Sequence, residues 1–185
     1  MKKDTITVEY LERVFPAFGR LSDPQAREGI AAVYDDMLRR SAWESIEDAC
    51  FSPALPNCRL VDHINAAMES ALATAHCIEK YQGIPFDYDG IIILAMLHDT
   101  SKLVEYEPCE GGCRETEIGK KIQHGVMGAM LAYEHGFSVH VMNQILTHTP
   151  RSKMQPSDKE GALFARVDIC DADMLHYSNG LPLFG

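Results

Sequence analysis

The sequence lacks a long apolar run and an excess of positive charge, and each absence argues against a class of function. The longest strongly apolar stretch runs from Ile91 to Leu97, far short of the roughly 20 residues that a membrane-spanning helix needs. Lysine and arginine number 17 against 27 aspartate and glutamate residues, which gives a formal net charge of -10. Because nucleic-acid binding needs a basic surface and anionic lipid repels an acidic protein, we expect neither long nucleic acids nor membranes as partners.

A secretory signal is also missing. Residues 1–15 carry charges in place of a continuous apolar stretch, so we expect a cytoplasmic protein whose six cysteines are reduced thiols. Cys109 and Cys113 flank a Glu-Gly-Gly segment, and no other cysteine pair lies at zinc-site spacing. This segment is therefore interpreted as a loop. The length and the composition, 46% hydrophobic and 24% charged, are those of an ordinary globular domain.

Hydrophobic periodicity predicts an all-α protein. Apolar residues recur at helical spacing and strand-like alternation is not seen, while Ser22–Gln25 and Ser157–Glu160 have the spacing of capping boxes. The segment from Ser52 to Asn57 breaks the pattern, so we divide the chain into an N-terminal helical extension, 1–57, and a helical domain, 58–185. The predicted helices are 6–18, 22–43, 60–83, 91–102, 117–135, 138–148 and 157–177.

Six histidines and aspartates on the predicted helices stand out because they lie on or beside apolar faces. Burying imidazole or carboxylate is unfavourable without partners, and convergence on metal ions would satisfy all of them together. Any one of them alone is more often a hydrogen-bonded core residue or a solvated helix carboxylate, so the inference depends on the ordered set. The set is His63, His98, Asp99, His124, His148 and Asp168.

The order of these residues, His, His-Asp, His, His and Asp, resembles the HD-domain superfamily of metal-dependent phosphohydrolases over residues 58–177. The string from Ala95 to Lys102 resembles the apolar-apolar-His-Asp-x-small-Lys signature of that family. The strings 123–129 and 145–149 resemble those that carry two further histidines in the bacterial diadenosine tetraphosphate hydrolases.

Two positions depart from the family pattern. Ser101 stands where glycine is frequent, and Val167 precedes Asp168 where alanine is usual. Asp171 and Asp173 lie close enough in sequence to Asp168 to be the last ligand in its place, and Asp168 is preferred because the apolar turn at Leu163 and Phe164 is expected to pack behind it.

The resemblance implies an HD-domain-like helical bundle that holds two divalent metal ions. Asp99 would bridge them, and imidazole with carboxylate suits Fe, Mn, Zn, Co or Ni. In residue terms, the minimal site corresponds to His63, His98, Asp99 and Asp168, and the dinuclear members add His124 and His148.

The activity implied by the resemblance is hydrolysis of a small phosphoester or nucleotide by a metal-activated water. Asp99 and Lys102 are the expected catalytic residues, because Lys102 lies one helical turn beyond Asp99 and can hold a phosphate oxygen or assist the leaving group. Arg151, in the predicted loop 149–156, is an expected second phosphate contact. Glu105 and its neighbours are interpreted as a polar loop.

Two other functions stay open. Some HD-like proteins, including myo-inositol oxygenase and an organophosphonate oxygenase, use the same six ligands as a di-iron centre that activates oxygen. A polyol or phosphonate oxygenase is therefore the main alternative. A non-catalytic sensor is disfavoured because the ligand set is intact. Residues 1–57 are open to two roles, as a cap over the site or as a contact in a homodimer.

Overall fold

The chain folds into mostly helices with two small hairpins, as seen in a computed structural model that describes residues 3–183. Among these residues, no helix combines the length and the apolar character needed to cross a bilayer. The helices are α1 Val8–Val14, α2 Pro24–Arg40, α3 Leu60–Gln82, α4 Tyr88–Leu97, α5 Lys102–Glu105, α6 His124–Glu134, α7 Val139–Thr147 and α8 Lys159–Ser178. The strands are β1 Cys50–Ser52, β2 Leu55–Arg59, β3 Tyr106–Cys109 and β4 Gly112–Glu115. Short 3-10 helices occupy Pro16–Arg20 and Ile46–Asp48.

The two hairpins correct the all-α prediction. Strands β1 and β2 pair antiparallel, as do β3 and β4. The second hairpin turns at Gly111 and Gly112, whose φ angles of 82° and 150° strain any residue with a side chain. It packs tightly on the first, since a Cβ atom at Gly112 would lie 2.5 Å from Cβ of Pro56. Strands of three to five residues are too short to show a clear alternation.

The helix starts differ from the predicted capping boxes by one residue. The carboxylate of Asp23, rather than Ser22, caps α2 by accepting a hydrogen bond from the Gln25 N–H at 2.8 Å. The side chain of Ser22 donates instead to Asp89. Asp158 similarly caps α8, where it accepts from the Gly161 N–H at 2.6 Å. Aspartate meets the unpaired N–H groups with a full negative charge, which also suits the helix dipole.

Two predicted helices are shorter than the periodicity indicated. The 91–102 segment is split by a turn at 98–101 into α4 and α5. The first residues of the 117–135 segment form turns, and α6 begins only at His124. The turns are tied to α5, because the Thr116 N–H donates to the Glu105 carbonyl oxygen at 2.9 Å. Gly119 also packs against this carbonyl group, because a Cβ atom at that position would lie only 2.4 Å from its oxygen.

A single large hydrophobic cluster contains residues from both sides of the predicted boundary at 57. Phe15 and Phe18 from the N-terminal segment belong to it together with Ile64 of α3 and Phe164 of α8, and all four are fully buried. Burial of such side chains is worth roughly 1.5–3 kcal/mol each. The N-terminal helices therefore share their main core with the helices that carry the candidate ligands.

Replacing Tyr34 by Phe is expected to destabilise the protein by about 1 kcal/mol, because the buried hydroxyl donates to the Met96 carbonyl oxygen at 2.8 Å. The loss stays small because the Thr100 hydroxyl also donates to that oxygen, at 2.9 Å. Chemical denaturation would measure the change in unfolding free energy. The exposed Tyr133→Phe is the matched control, and an equal loss in the two variants would contradict the link between α2 and α4.

Candidate metal centre

The fold brings all six predicted ligands to one place. His63 comes from α3, the His98-Asp99 pair from the end of α4, and Asp168 from α8. His124 is the first residue of α6, and His148 follows α7 directly. Each of the six is buried, with 0 to 9% of its surface exposed. All but His98 line a cavity of about 110 Å³, and His98 stacks behind it against the edge of the Phe164 ring.

The first group of ligand atoms surrounds one oxygen of Asp99. The His63 Nε2 atom lies 3.3 Å from Oδ2 of Asp99 and 3.0 Å from Oδ1 of Asp168. The His98 Nε2 atom lies 3.5 Å and 3.3 Å from the same two oxygens. His63, His98 and Asp99 each offer a ligand atom within 4.8 Å of the others, a spacing that suits one metal ion.

The second group surrounds the other oxygen of Asp99. The Nε2 atoms of His124 and His148 lie 3.5 Å and 3.7 Å from Oδ1. These three residues also bring their ligand atoms within 4.8 Å of one another. Asp99 thus belongs to both groups and faces each with a different oxygen, an arrangement typical of a bridging carboxylate.

Backbone carbonyl groups orient two of the histidines. The Nδ1 atom of His98 lies 2.8 Å from the Ala95 carbonyl oxygen, and that of His148 lies 2.6 Å from the Ile145 carbonyl oxygen. Because a carbonyl oxygen only accepts, Nδ1 of each ring carries a proton. Nε2 faces the aspartates and is the nitrogen that would bind a metal ion.

Close packing of α6 on α7 positions His124. Cβ atoms at Gly125 and Gly128 would each lie 3.3 Å from atoms of Ile145, so larger residues would push the two helices apart. The buried Ser101 hydroxyl donates to the His124 carbonyl oxygen at 2.7 Å and fixes the start of α6 beside α5. The serine that departs from the resembled motif therefore has a structural role here.

The donor set fits a divalent cation. Oδ1 of Asp99 and Oδ1 of Asp168 are buried and, among residues 3–183, have no hydrogen-bond partner. Leaving a buried carboxylate oxygen unpaired is unfavourable, and a cation in each group would satisfy the oxygen that belongs to it. Imidazole nitrogen with carboxylate oxygen suits several first-row transition metals. These buried groups can hold a metal ion.

The charges in the centre depend strongly on one another. Burial alone would raise the pKa of Asp99 and Asp168, but their basic neighbours outweigh it and hold both pKa values well below the usual range. Burial alone would lower the pKa of His63, yet its contacts with Asp168, Asp171 and Asp99 raise it to about 10. The aspartates therefore stay ionised and attract positive charge to this point.

The two predicted phosphate contacts lie at the same cavity. The Lys102 ammonium is 2.7 Å from Oδ2 of Asp99 and 3.9 Å from the centroid of the Phe51 ring, and the residue is 7% exposed. Arg151 lines the cavity from the loop after α7, and it is exposed to solvent. The cavity lining therefore includes one buried and one exposed positive side chain.

Asp171 lies on the far side of His63, away from the cation site. Its Oδ2 atom is 2.6 Å from Nδ1 of His63, while Asp168, one helical turn earlier, faces Nε2. The sequence left these two aspartates open as alternatives for the last ligand. The geometry gives them different positions, with Asp168 inside the ligand cluster and Asp171 behind it.

Glu105 corrects its interpretation as a polar loop residue. It ends α5, is 4% exposed, and places Oε2 3.2 Å from Nδ1 of His124. Its neighbour Glu107 is nearer the surface and pairs with Arg114, but it lies in strand β3 rather than in a loop. No periodicity could separate the two glutamates, because the turn at 98–101 resets the helix phase just before them.

The remaining histidines lie elsewhere. His135 contacts Asp36 at 3.1 Å, and the exposed His140 contacts Asp158 at 3.5 Å. His76 is exposed on α3, and Nδ1 of His176 lies 2.8 Å from the Pro182 carbonyl oxygen. These four are ordinary structural or surface positions. All six cysteines are free thiols, and Cys109 and Cys113 lie on the second hairpin.

Comparisons with known proteins found no counterpart. No family model matches the sequence, and no curated protein or solved structure gives a significant match. The HD-domain resemblance therefore stays a hypothesis based on the order of the motifs. What the geometry adds is independent of any relative: six side chains from five regions of the chain converge on two groups that share Asp99.

The stoichiometry of bound metal tests the shared aspartate. Asp99→Ala is expected to remove most bound metal because both groups lose an oxygen ligand, whereas His124→Ala is expected to remove only one equivalent. Elemental analysis of protein loaded with Mn²⁺, Fe²⁺, Co²⁺, Ni²⁺ or Zn²⁺ would give the ratios. His140→Ala controls for loss of an exposed histidine. Unchanged stoichiometry in Asp99→Ala would show that the ligand assignment is wrong.

Proposed function

We propose that the protein is a metal-dependent hydrolase of small phosphoesters or nucleotides with an HD-type metal centre. One observation carries the proposal: two His/Asp groups share the buried Asp99, and the buried ammonium of Lys102 lies beside it in the same cavity. Paired cations with an adjacent fixed positive charge form a site for a phosphoryl group.

The ligand assignment follows from the distances. One cation would be held by the group around Oδ2 of Asp99, and a second by the group around Oδ1. When bound, the cations supply Lewis acidity and lower the pKa of a coordinated water. In residue terms, the first position comprises His63, His98, Asp99 and Asp168, and the second comprises Asp99, His124 and His148.

Lys102 is suited to contact the phosphoryl group. Asp99 and the Phe51 ring hold the ammonium in place, which limits the ordering that binding an anion would otherwise require. An ammonium carries three N–H donors, so pairing with Asp99 leaves others for the substrate. Inside a buried cavity such a charge acts on phosphate oxygens far more strongly than it does in water.

The cavity limits how much of the substrate is enclosed. Its volume of about 110 Å³ is well below the roughly 300–1,000 Å³ of pockets that enclose a whole small-molecule ligand. A substrate of nucleotide size would therefore extend beyond it. Arg151 stands at the rim, where it can contact a further anionic group.

The acidic surface is compatible with a small anionic substrate. A net charge of -10 gives no long-range attraction for anions, but the Debye length near physiological salt is only about 8 Å. Beyond that distance, screening weakens the repulsion. At closer range, Lys102, Arg151 and the cations dominate.

Activity of the metal-loaded protein and of Lys102→Ala tests the proposal. We expect hydrolysis of 4-nitrophenyl phosphate, its bis-ester or a dinucleoside polyphosphate that disappears on chelation and returns with added metal. Lys102→Ala should keep its bound metal but lose about 10²-fold in kcat, because a charge that stabilises the transition state is removed. Phosphate release and elemental analysis would be measured on the same samples.

The panel also separates the alternative enzyme class. Iron-loaded protein that consumes oxygen with a polyol or phosphonate, while releasing no phosphate from any ester, would overturn the hydrolase proposal in favour of an oxygenase. Full activity in Lys102→Ala would remove the lysine from the mechanism. The exposed Glu110→Gln serves as a variant that should retain normal turnover.

Arg151→Ala is expected to raise KM by about tenfold and leave kcat nearly unchanged. An exposed arginine at the rim contributes binding that is equal in the ground and transition states, and one charge-assisted hydrogen bond is worth about 1.5 kcal/mol. Steady-state kinetics on the best substrate of the panel would check it. Lys153→Ala removes an exposed charge from the same loop and serves as control. Equal effects of the two variants would show only nonspecific electrostatics.

A further inference from the structure

In all four histidines of the centre, Nδ1 points away from the ligand cluster and lies near an oxygen atom. We say that this oxygen backs the histidine. Backbone carbonyl oxygens stand behind His98 and His148. Side-chain carboxylates stand behind the other two, Asp171 at 2.6 Å from Nδ1 of His63 and Glu105 at 3.2 Å from Nδ1 of His124. Each of the two groups therefore contains one carbonyl-backed and one carboxylate-backed histidine.

The two kinds of backing differ in effect. An oxygen that accepts the Nδ1 proton leaves the Nε2 lone pair for a cation, and a carboxylate in that role also carries a negative charge that makes the imidazole a stronger donor. Loss of such a backing group typically costs 10–100-fold in metal affinity. Each carboxylate can therefore adjust the cation affinity of its own position. The backbone carbonyl groups offer no such adjustment.

Backbone hydrogen bonds fix Glu105 beside His124. Its backbone N–H donates to the Ser101 carbonyl oxygen at 3.0 Å, and its own carbonyl oxygen accepts from the Thr116 N–H at 2.9 Å. Oε2 and the neighbouring Nδ1 of His124 are both buried and, within residues 3–183, neither has a hydrogen-bond partner. At 3.2 Å they are close enough to bond but are not aligned, and a small rotation of the imidazole would pair them.

We propose that Asp171 and Glu105 are positioning residues that set the cation affinity of the two positions independently, Asp171 through His63 and Glu105 through His124. The inference depends on the metal centre of the proposed function and not on its phosphoester substrate. Neither carboxylate lines the cavity, so neither would contact the cation or the reacting atoms.

Independent effects on the two cation positions distinguish a positioning role from a general effect on stability. A variant that only loosens the fold would weaken both positions together. A positioning residue weakens one position and spares the other, because each carboxylate touches a histidine of only one group. A background in which the second position has been removed therefore distinguishes the two roles.

Co²⁺ binding to metal-free full-length protein, measured by visible absorption with a competing chelator, tests the proposal. In the wild-type chain, Glu105→Gln should weaken one equivalent by about 10–100-fold and spare the other. In a His124→Ala background, which keeps only the first position, Asp171→Asn should weaken the remaining equivalent by a similar factor. Glu105→Gln should have no effect there, since its histidine partner is gone.

The controls separate the possible failures. Glu110→Gln removes an exposed carboxylate and should bind Co²⁺ as the wild type does. Thermal unfolding of the metal-free variants reports any general loss of stability. Equal losses from Asp171→Asn and Glu105→Gln in the His124→Ala background, or no loss from either, would overturn this inference alone. A wild-type chain that binds no Co²⁺ would overturn it together with the proposed metal centre.

Discussion

Burial of the Asp99 carboxylate is the constraint that organises the structure. An isolated carboxylate at 1% exposure would cost several kcal/mol, and this one is kept ionised by Lys102 at 2.7 Å and by surrounding imidazoles. Those partners come from five segments of the chain: α3, the end of α4, α5, α6 and the end of α7. Satisfying one charge therefore requires these segments to meet at one point, and it explains why small residues such as Gly125 are needed where α6 and α7 approach.

The centre contains more negative than positive fixed charge. Four carboxylates lie in or directly behind it, Asp99, Asp168, Asp171 and Glu105, and the single buried ammonium of Lys102 offsets only one of them. The raised pKa of His63, at about 10, shows the consequence, since a proton is drawn to the point where the carboxylates converge. A divalent cation would meet the same field with more charge and would release that proton on binding. Such an excess suits a metal centre better than a structural salt-bridge network.

The sequence singled out the six residues that the fold brings together because burial and chemistry conflict at these positions. A histidine such as His148 on an apolar helix face demands a partner, and that demand is visible without coordinates. Helix α3 was also predicted close to its observed bounds, because its apolar stripe is followed by Gly83. This glycine ends the helix with a φ angle of 69°. The hairpins were not predicted because their pairing links segments too short to alternate. Glu105 was misread for a related reason: its burial depends on contacts with Thr116 and His124, which no local pattern contains.

The unpredicted hairpins also contribute to the site. Phe51 of β1 and Tyr106 of β3 line the cavity. The Phe51 ring contacts both the His63 ring, at 4.3 Å between centroids, and the Lys102 ammonium. Helices thus carry most of the charged groups, while the hairpins add aromatic side chains to the lining. If the centre acts on a phosphoester, its organic part would meet the lining residues outside the His/Asp set, such as Phe51, Tyr106 and Arg151.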